Sequence, residues 1–378
     1  MNSAYAYCGL PSGSRVVVAM SGGVDSSVTA ALLGEAGYEV VGVTLQLYDH
    51  GAAAGRKGAC CAGRDIHDAR DVAARLGIAH YVLDFEARFK AAVIDDFARS
   101  YAEGRTPIPC VRCNERIKFR DLLGIARDLG ARALATGHYV RRIAGVRGPE
   151  LHRAADAAKD QSYFLFATTP GQLESLRFPL GSLDKATVRG HARRLGLEVA
   201  DKPDSQDICF VPNGHYGDVV ARLRPDACEP AEIVHVDGRV LGWHEGTFRY
   251  TVGQRRGLKV ADGERLYVVG IEAERRRVVV GPRQAGNCTV LALTGVNWLG
   301  GRDDAAEVQV KHRYNEPAVP GRIELLPGGR ARVTFREPQP GVAPGQACVC
   351  YDGSRLLGGG WIDSTTPVWR PAEARLIA

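Results

Sequence analysis

Seven residues, Ser21-Gly22-Gly23-Val24-Asp25-Ser26-Ser27, lead from an apolar β-run (RVVVAM, 15–20) into a segment with helical periodicity (26–38). A strand that breaks on two glycines and resumes as a helix must turn tightly. Its backbone N–H groups then converge in front of a helix N-terminus, where negative charge is favoured. The serine hydroxyls add donors. Asp25 would repel bare phosphate, so it is expected to act through Mg²⁺ or to orient the loop. The chain contains no Gly-Lys dipeptide, so the Walker pattern G-x-x-x-x-G-K-[ST] is absent. The plainer reading is a Gly/Ser turn that only caps a helix.

The segments that follow keep the same alternation. Residues 39–47 form a second β-run, 65–78 are helical and 79–85 extended. Residues 89–104 and 117–130 are helical, and 131–138 form a strand ending in a Gly-His turn. This order predicts a parallel sheet covered on both faces. Residues 51–64 (GAAAGRKGACCAGR) read as a flexible loop. After about residue 212 short β-runs alternate with Gly and Asp, with no long amphipathic helix. The expected fold is α/β: a nucleotide-binding domain (1–212), a small β-rich domain (213–283) and a C-terminal β-barrel (284–378).

Bulk properties limit the function classes. The chain of 378 residues is 45% hydrophobic and 24% charged, ordinary for a soluble protein. No run of ~18 apolar residues occurs, which predicts no membrane-spanning helix. The N-terminal stretch lacks the basic start and apolar run of a secretory signal. The formal charge is +6, carried mostly by arginine. This permits a phosphate-rich partner and equally fits a solvated surface. Ten cysteines in a chain of this length are no disulfide scaffold, and free thiols in a reducing cytosol are expected.

The placement of the cysteines says more than their number. Thr106–Asn114 reads as a proline-punctuated loop holding Cys110-Val111-Arg112-Cys113, with Cys113 just before a helical pattern. A helix N-terminus and the nearby Arg112 and Arg116 would favour its thiolate. A C-x-x-C pair is also half a zinc site, but no second half is evident. Cys209 sits in the polar stretch Asp204–Phe210, as a reactive thiol or a buried structural one. Cys60 and Cys61 could be metal ligands, structural residues or neither. Cys8, Cys228, Cys288, Cys348 and Cys350 carry no chemical signal and fit core or surface.

Taken in order, the segments AMSGGVDSS, CCAGRDIHDARDVAARLGIAHYVLDF, TPIPCVRCNERIKF, LATGHYVR, KDQSYFL, DKPDSQDICFVP and YTVGQRRGL cover most of residues 15–258. Together they resemble the bacterial tRNA-specific 2-thiouridylase (MnmA) family, a branch of the PP-loop ATP pyrophosphatases. RYNEP and APGQ near the C-terminus are similar too. The resemblance implies ATP and Mg²⁺ as cofactors. Ala19, Met20, Ser21, Gly22, Gly23, Val24, Asp25 and Ser26 would cradle ATP, flanked by Leu45 and Gly137. Cys209 matches the cysteine that carries a persulfide, and Cys113 its partner. His138, Lys159, Asp160, Gln161, Arg313, Tyr314 and Gln346 match positions facing tRNA, with Ile108, Pro109 and Cys110 also at the substrate. The family often has Asn-Pro-Asp where this chain has Ile108-Pro109-Cys110. A cysteine does not replace the aspartate as a base near neutral pH unless its pKa falls.

The implied reaction is 2-thiolation of the wobble uridine of tRNAs for Lys, Glu and Gln in the cytoplasm, fed by a persulfide-relay protein. Tyr139 and Tyr163 could stack on bases or fill the core. A competing route uses a [4Fe-4S] cluster on Cys110, Cys113 and Cys209. Two further readings are a different PP-loop chemistry, such as amidation, and an RNA-binding module with a degenerate nucleotide site.

Overall fold

The computed structural model describes residues 8–48, 61–204, 207–211, 215–301 and 305–367. Cys60 and the side chain of Cys61 lie outside the described residues. The chain divides into two compact units. One comprises residues 1–94, 110–212 and 354–356, and the other 95–109, 213–353 and 357–378.

The first unit is built on a parallel sheet. β1 (Arg15–Ala19), β2 (Glu39–Gln46) and β3 (Ala79–Asp84) are followed by β4 (Ala133–Ala135) and, after a hairpin of β5 (Val140–Gly145) and β6 (Gly148–Arg153), by β7 (Leu176–Arg177). The spatial order is β3-β2-β1-β4-β7, with every pairing parallel. The chain therefore runs outward from β1 in both directions. The resulting crevice at the carboxyl ends of β1 and β4 is where open α/β sheets bind ligands.

The helix α1 (Val24–Glu35) follows β1 and is buried from Val24 to Leu33 except at Asp25. Its residues are small or aliphatic because it packs on several sides rather than along one stripe. Its buried hydroxyls bond back to the preceding turn: Ser27 Oγ to the Gly23 carbonyl at 2.9 Å and Thr29 Oγ1 to the Asp25 carbonyl at 2.8 Å. Val16, Val18, Val28, Leu33, Val40 and Val188 share one core. Val188 comes from a later helix of this unit (Lys185–Arg194), capped by Asp184 accepting from Thr187 N.

Two local expectations change. Helix α2 (Cys61–Leu76) begins inside the stretch read as a loop. Residues 109–128 are helical throughout, so the C-x-x-C pair is not in a loop. Pro109 opens that helix, a position where its missing N–H costs nothing. The winding widens to a π-type turn over Cys113–Leu122.

The second unit contains two β structures. β8 (Ala231–His235), β9 (Val240–His244), β10 (Tyr267–Glu272) and β11 (Arg277–Gly281) form a sheet ordered β10-β11-β8-β9 around Ile233, Val268, Val278 and Val280. The last six strands are β12 (Cys288–Trp298), β13 (Ala305–Lys311), β14 (Val319–Leu326), β15 (Arg330–Gln339), β16 (Ala347–Asp352) and β17 (Arg355–Pro367). They run β12-β15-β14-β13-β16-β17 and close through β12 with β17, a barrel without free edges. Ala331, Val333 and Phe335 alternate inward against Arg330, Arg332 and Thr334. Cys288, Cys348 and Cys350 are part of the barrel core, and Cys8 of the first unit's core.

Gly22 has φ +73°, and a Cβ there would overlap the Asp65 carbonyl oxygen at the start of α2. Gly22→Ala is therefore expected to lose about 1–3 kcal/mol of stability, read as a lower urea midpoint. An unchanged midpoint would contradict this close approach.

Candidate active site

The phosphate loop lies at the carboxyl end of β1. Met20 N donates to the Val43 carbonyl of β2 at 2.8 Å, and Thr44 Oγ1 donates to the Met20 carbonyl at 2.9 Å. Half-buried Leu45 follows on the same strand. Gly137 follows β4, and a Cβ there would come within 2.9 Å of the Asp25 carbonyl carbon and Ser26 N. Ala19 to Ser26, Leu45 and Gly137 are thus gathered at the ends of three neighbouring strands. Gly23 is the N-cap of α1 and supplies no capping side chain. The first N–H groups of the helix stay available to an anion. Ser26 Oγ shapes the turn, accepting from Ser21 N at 3.1 Å and donating to the Gly23 carbonyl.

Asp25 does not face this opening as a free carboxylate. Lys185 Nζ bonds both its oxygens, at 2.8 and 2.9 Å, and the Tyr139 hydroxyl donates to Oδ1 at 2.8 Å. Of the two roles expected for Asp25, orienting the loop matches these contacts, while a cation ligand would compete with an ammonium already in place. Lys185 also lies 2.8 Å from Asp204, which pairs with Lys159 at 2.8 Å. Burial pushes the Asp204 carboxyl up, but the hydrogen bonds and charges of Lys159 and Lys185 outweigh it and hold it at about 2. Burial and the neighbouring Asp25 push the Tyr139 phenol far up, so it stays a donor.

The segment 202–204, which carries Asp204, holds the loop at a second point. Lys202 Nζ donates to the Gly22 carbonyl at 2.9 Å and pairs with Asp65 at 2.7 Å and with Asp68.

The thiols form a second group in the first unit. Cys113 is buried, while Cys110 and Cys209 keep solvent access. Protein crowds all three sulfurs. Burial raises each thiol, and a negative charge on Cys113 or Cys110 would raise Cys209 further, to about 12. Lys118 opposes this at all three sulfurs. The expected thiolate bias from Arg112 and Arg116 is not realised. Arg112 pairs with Glu115 at 3.0 Å, and Arg116 donates to the Ala92 carbonyl. Cys113 also lies inside the helix rather than at its start. Lys118 is oriented by the Asn114 side-chain oxygen at 3.0 Å. Tyr48 hydrogen-bonds Cys209. Tyr48 and Phe210 both pack on Phe89, with ring centres 6.0 and 5.9 Å away.

Among the described residues, no group of three or more His, Cys, Asp or Glu side chains is disposed to hold a metal ion. The cluster route considered from sequence finds no support in this arrangement.

Several residues expected at the RNA have internal partners. The Asp160 carboxylate accepts from Ala154 N, Ser162 N and Ser162 Oγ. Gln161 Oε1 accepts from Tyr139 N at 2.9 Å. Half-buried His138 bonds Thr136 Oγ1 at 2.7 Å and packs edge-on against Phe119 and Phe178. Burial and Lys118 hold its imidazole neutral, well below the usual range. Tyr139 and Tyr163 are buried, so neither is an open stacking platform. In the second unit Ile108 and Pro109 are buried, and Arg313 donates to the Val252 carbonyl at 2.7 Å. Lys311 lies over the Tyr314 ring, and Gln346 donates to the Thr106 carbonyl at 3.1 Å. Sequence reasoning assigned no role to Tyr48, Lys118, Lys185 or Lys202. Lys118 does fall in the segment TPIPCVRCNERIKF and Lys202 in DKPDSQDICFVP, whereas Tyr48 and Lys185 fall in no motif.

Comparisons with known proteins agree with this architecture. Residues 14–213 match the family model described as tRNA methyl transferase HUP domain. Residues 218–282 match its PRC-barrel domain, and 288–362 an aminomethyltransferase β-barrel domain. A tRNA-specific 2-thiouridylase MnmA of Rhodospirillum centenum is 66% identical over 93% of this chain and 92% of its own. The protein of that name from Caulobacter sp. is 60% identical over 97% and 93%. A more distant likeness, 18% identical with a TM-score of 0.36, covers 57% of this chain and 52% of a 4-thiouridine synthetase in complex with RNA and bound ATP.

Since Cys209 is accessible yet its thiol is pushed to about 12, iodoacetamide at neutral pH should alkylate it at least about tenfold more slowly than an ordinary free thiol. The rate should keep rising beyond about pH 10. A plateau near the ordinary thiol range would contradict the desolvated setting.

Proposed function

Because this chain belongs to the bacterial tRNA-specific 2-thiouridylase family, we propose that its first unit performs both chemical halves of uridine thiolation. The protein is a tRNA-uridine 2-sulfurtransferase. It uses ATP to thiolate the wobble uridine at C2 through adenylation and persulfide chemistry. One observation supports the division of labour: an uncapped phosphate loop and a group of thiols under one cation, Lys118, occupy the same compact unit.

Uridine O2 is a poor leaving group. Its attack on the α-phosphate of ATP expels pyrophosphate and leaves an O2-adenylate, so AMP becomes the leaving group. ATP enters as its magnesium complex, whose cation offsets phosphate charge. The loop contributes the N–H groups of the α1 N-terminus and the serine hydroxyls as donors. The terminal sulfur of a Cys209 persulfide attacks C2, and collapse of the adduct expels AMP. The Cys113 thiolate then attacks the Cys209 sulfur. This releases 2-thiouridine and forms a Cys113–Cys209 disulfide, which takes two electrons from a thiol reductant. Lys118 lowers the cost of negative charge at each of these sulfurs.

The finer assignments belong to the same proposal. The tRNAs are those for Lys, Glu and Gln, and a persulfide-relay protein supplies sulfur. Lys159 of the first unit and Arg313, Tyr314 and Gln346 of the second are assigned to RNA, and phosphate contacts make binding salt-dependent. Domain limits are 1–212, 213–283 and 284–378. No described helix is long and apolar enough to cross a membrane, and the need for reduced thiols places the reaction in the cytoplasm.

Cys113→Ser and Cys209→Ser should each abolish thiolation in an ATP- and persulfide-dependent tRNA assay, while tRNA-dependent pyrophosphate release continues. Cys110→Ser should thiolate at close to the wild-type rate. Loss of thiolation in all three variants, tracking bound iron, would overturn the persulfide route.

A further inference from the structure

The acidic and basic residues between the phosphate loop and Asp204 form a continuous chain of contacts within the first unit. Asp25, on the first turn of α1, is bonded by Lys185. The Lys185 side chain is only 13% exposed, and its ammonium also lies 2.8 Å from Asp204. Arg189, one helical turn beyond Lys185, donates to the Lys202 carbonyl at 3.0 Å and lies 3.4 Å from Asp204. Lys202 in turn grips the Gly22 carbonyl. The strap 202–204 is therefore fastened to the phosphate loop at both ends, once by the Lys202 ammonium on the Gly22 carbonyl and once through a carboxylate–ammonium–carboxylate bridge. Cys209 is five residues further along the chain, within about 18 Å of Asp204 even if fully extended.

We propose that Lys185 and Asp204 are positioning residues that tie the phosphate loop to the strap carrying Cys209, so that a loop organised around nucleotide also sets the sulfur donor for its attack. Neither residue meets the substrate in this scheme. A half-buried cation shared by two carboxylates fixes distance and direction better than a solvated pair, because each carboxylate loses its partner if the other moves. Misplacing a reacting group by about 1 Å can cost on the order of a hundredfold in rate. The bridge therefore acts on sulfur transfer more than on adenylation, which needs only the loop and the tRNA.

This inference rests on the two-step reading above, and its test separates the two. Asp204→Asn keeps the shape of the side chain and leaves Lys185 on Asp25, so the loop is spared while the tie to the strap is weakened. With the full-length protein, substrate tRNA, ATP and a persulfide donor, wild type should release pyrophosphate and form thiouridine in equal amounts. Asp204→Asn should release pyrophosphate at nearly the wild-type rate, accumulate adenylated tRNA, and thiolate at least about tenfold more slowly. Lys185→Arg, which keeps the charge, should retain most of the coupling. If Asp204→Asn slows both steps in parallel, or neither, the tie is structural only and the inference fails. If wild type itself thiolates without releasing pyrophosphate, the adenylation reading fails instead.

Discussion

The site depends on how closely α2 approaches the turn between β1 and α1. At Gly22 the backbone adopts a positive φ with the Asp65 carbonyl against it, and Lys202 clamps the Gly22 carbonyl while pairing with the Asp65 carboxylate. No side chain fits there. The turn is therefore forced to present backbone N–H groups to the crevice, and the uncapped start of α1 adds its own. An anion entering this nest replaces hydration with oriented donors that are already fixed by the fold.

Negative charge on the protein side is managed in the same way. The one carboxylate in the loop, Asp25, is neutralised by Lys185 and aligned by Tyr139. Asp204 is surrounded by Lys159, Lys185 and Arg189. The thiols, in contrast, are kept protonated at rest by burial and by each other, with Lys118 as the common opposing charge. Reactive sulfur is thus held back from indiscriminate chemistry. A persulfide is a stronger acid than a thiol and extends the charge one atom outward, which fits delivery from a crowded pocket.

The architecture was legible because it rests on local signals. The loop SGGVDSS lies between period-2 and period-3.6 patterns, and the texture changes near residue 212. Local errors arose where proline and cysteine suggested a loop that is in fact helical from Pro109 onward. The charge network could not be read, because its contacts join distant residues. Asp25 and Lys185 are 160 positions apart. Nothing in the sequence around Lys185 distinguishes it from any other lysine at a helix start. The thiolate bias assigned to Arg112 and Arg116 failed for a related reason: nearness in sequence says nothing about which way a guanidinium turns, and both found other partners.

In this mechanism uridine O2 leaves as part of AMP, a departure made possible by the phosphate loop and completed by the cysteines. A tRNA carrying heavy oxygen at O2 of the wobble uridine tests it directly, by mass analysis of the nucleotide and pyrophosphate after one turnover. The label should appear in AMP, one atom for each thiouridine formed. Label found in water or pyrophosphate, with thiouridine still produced, would contradict the mechanism.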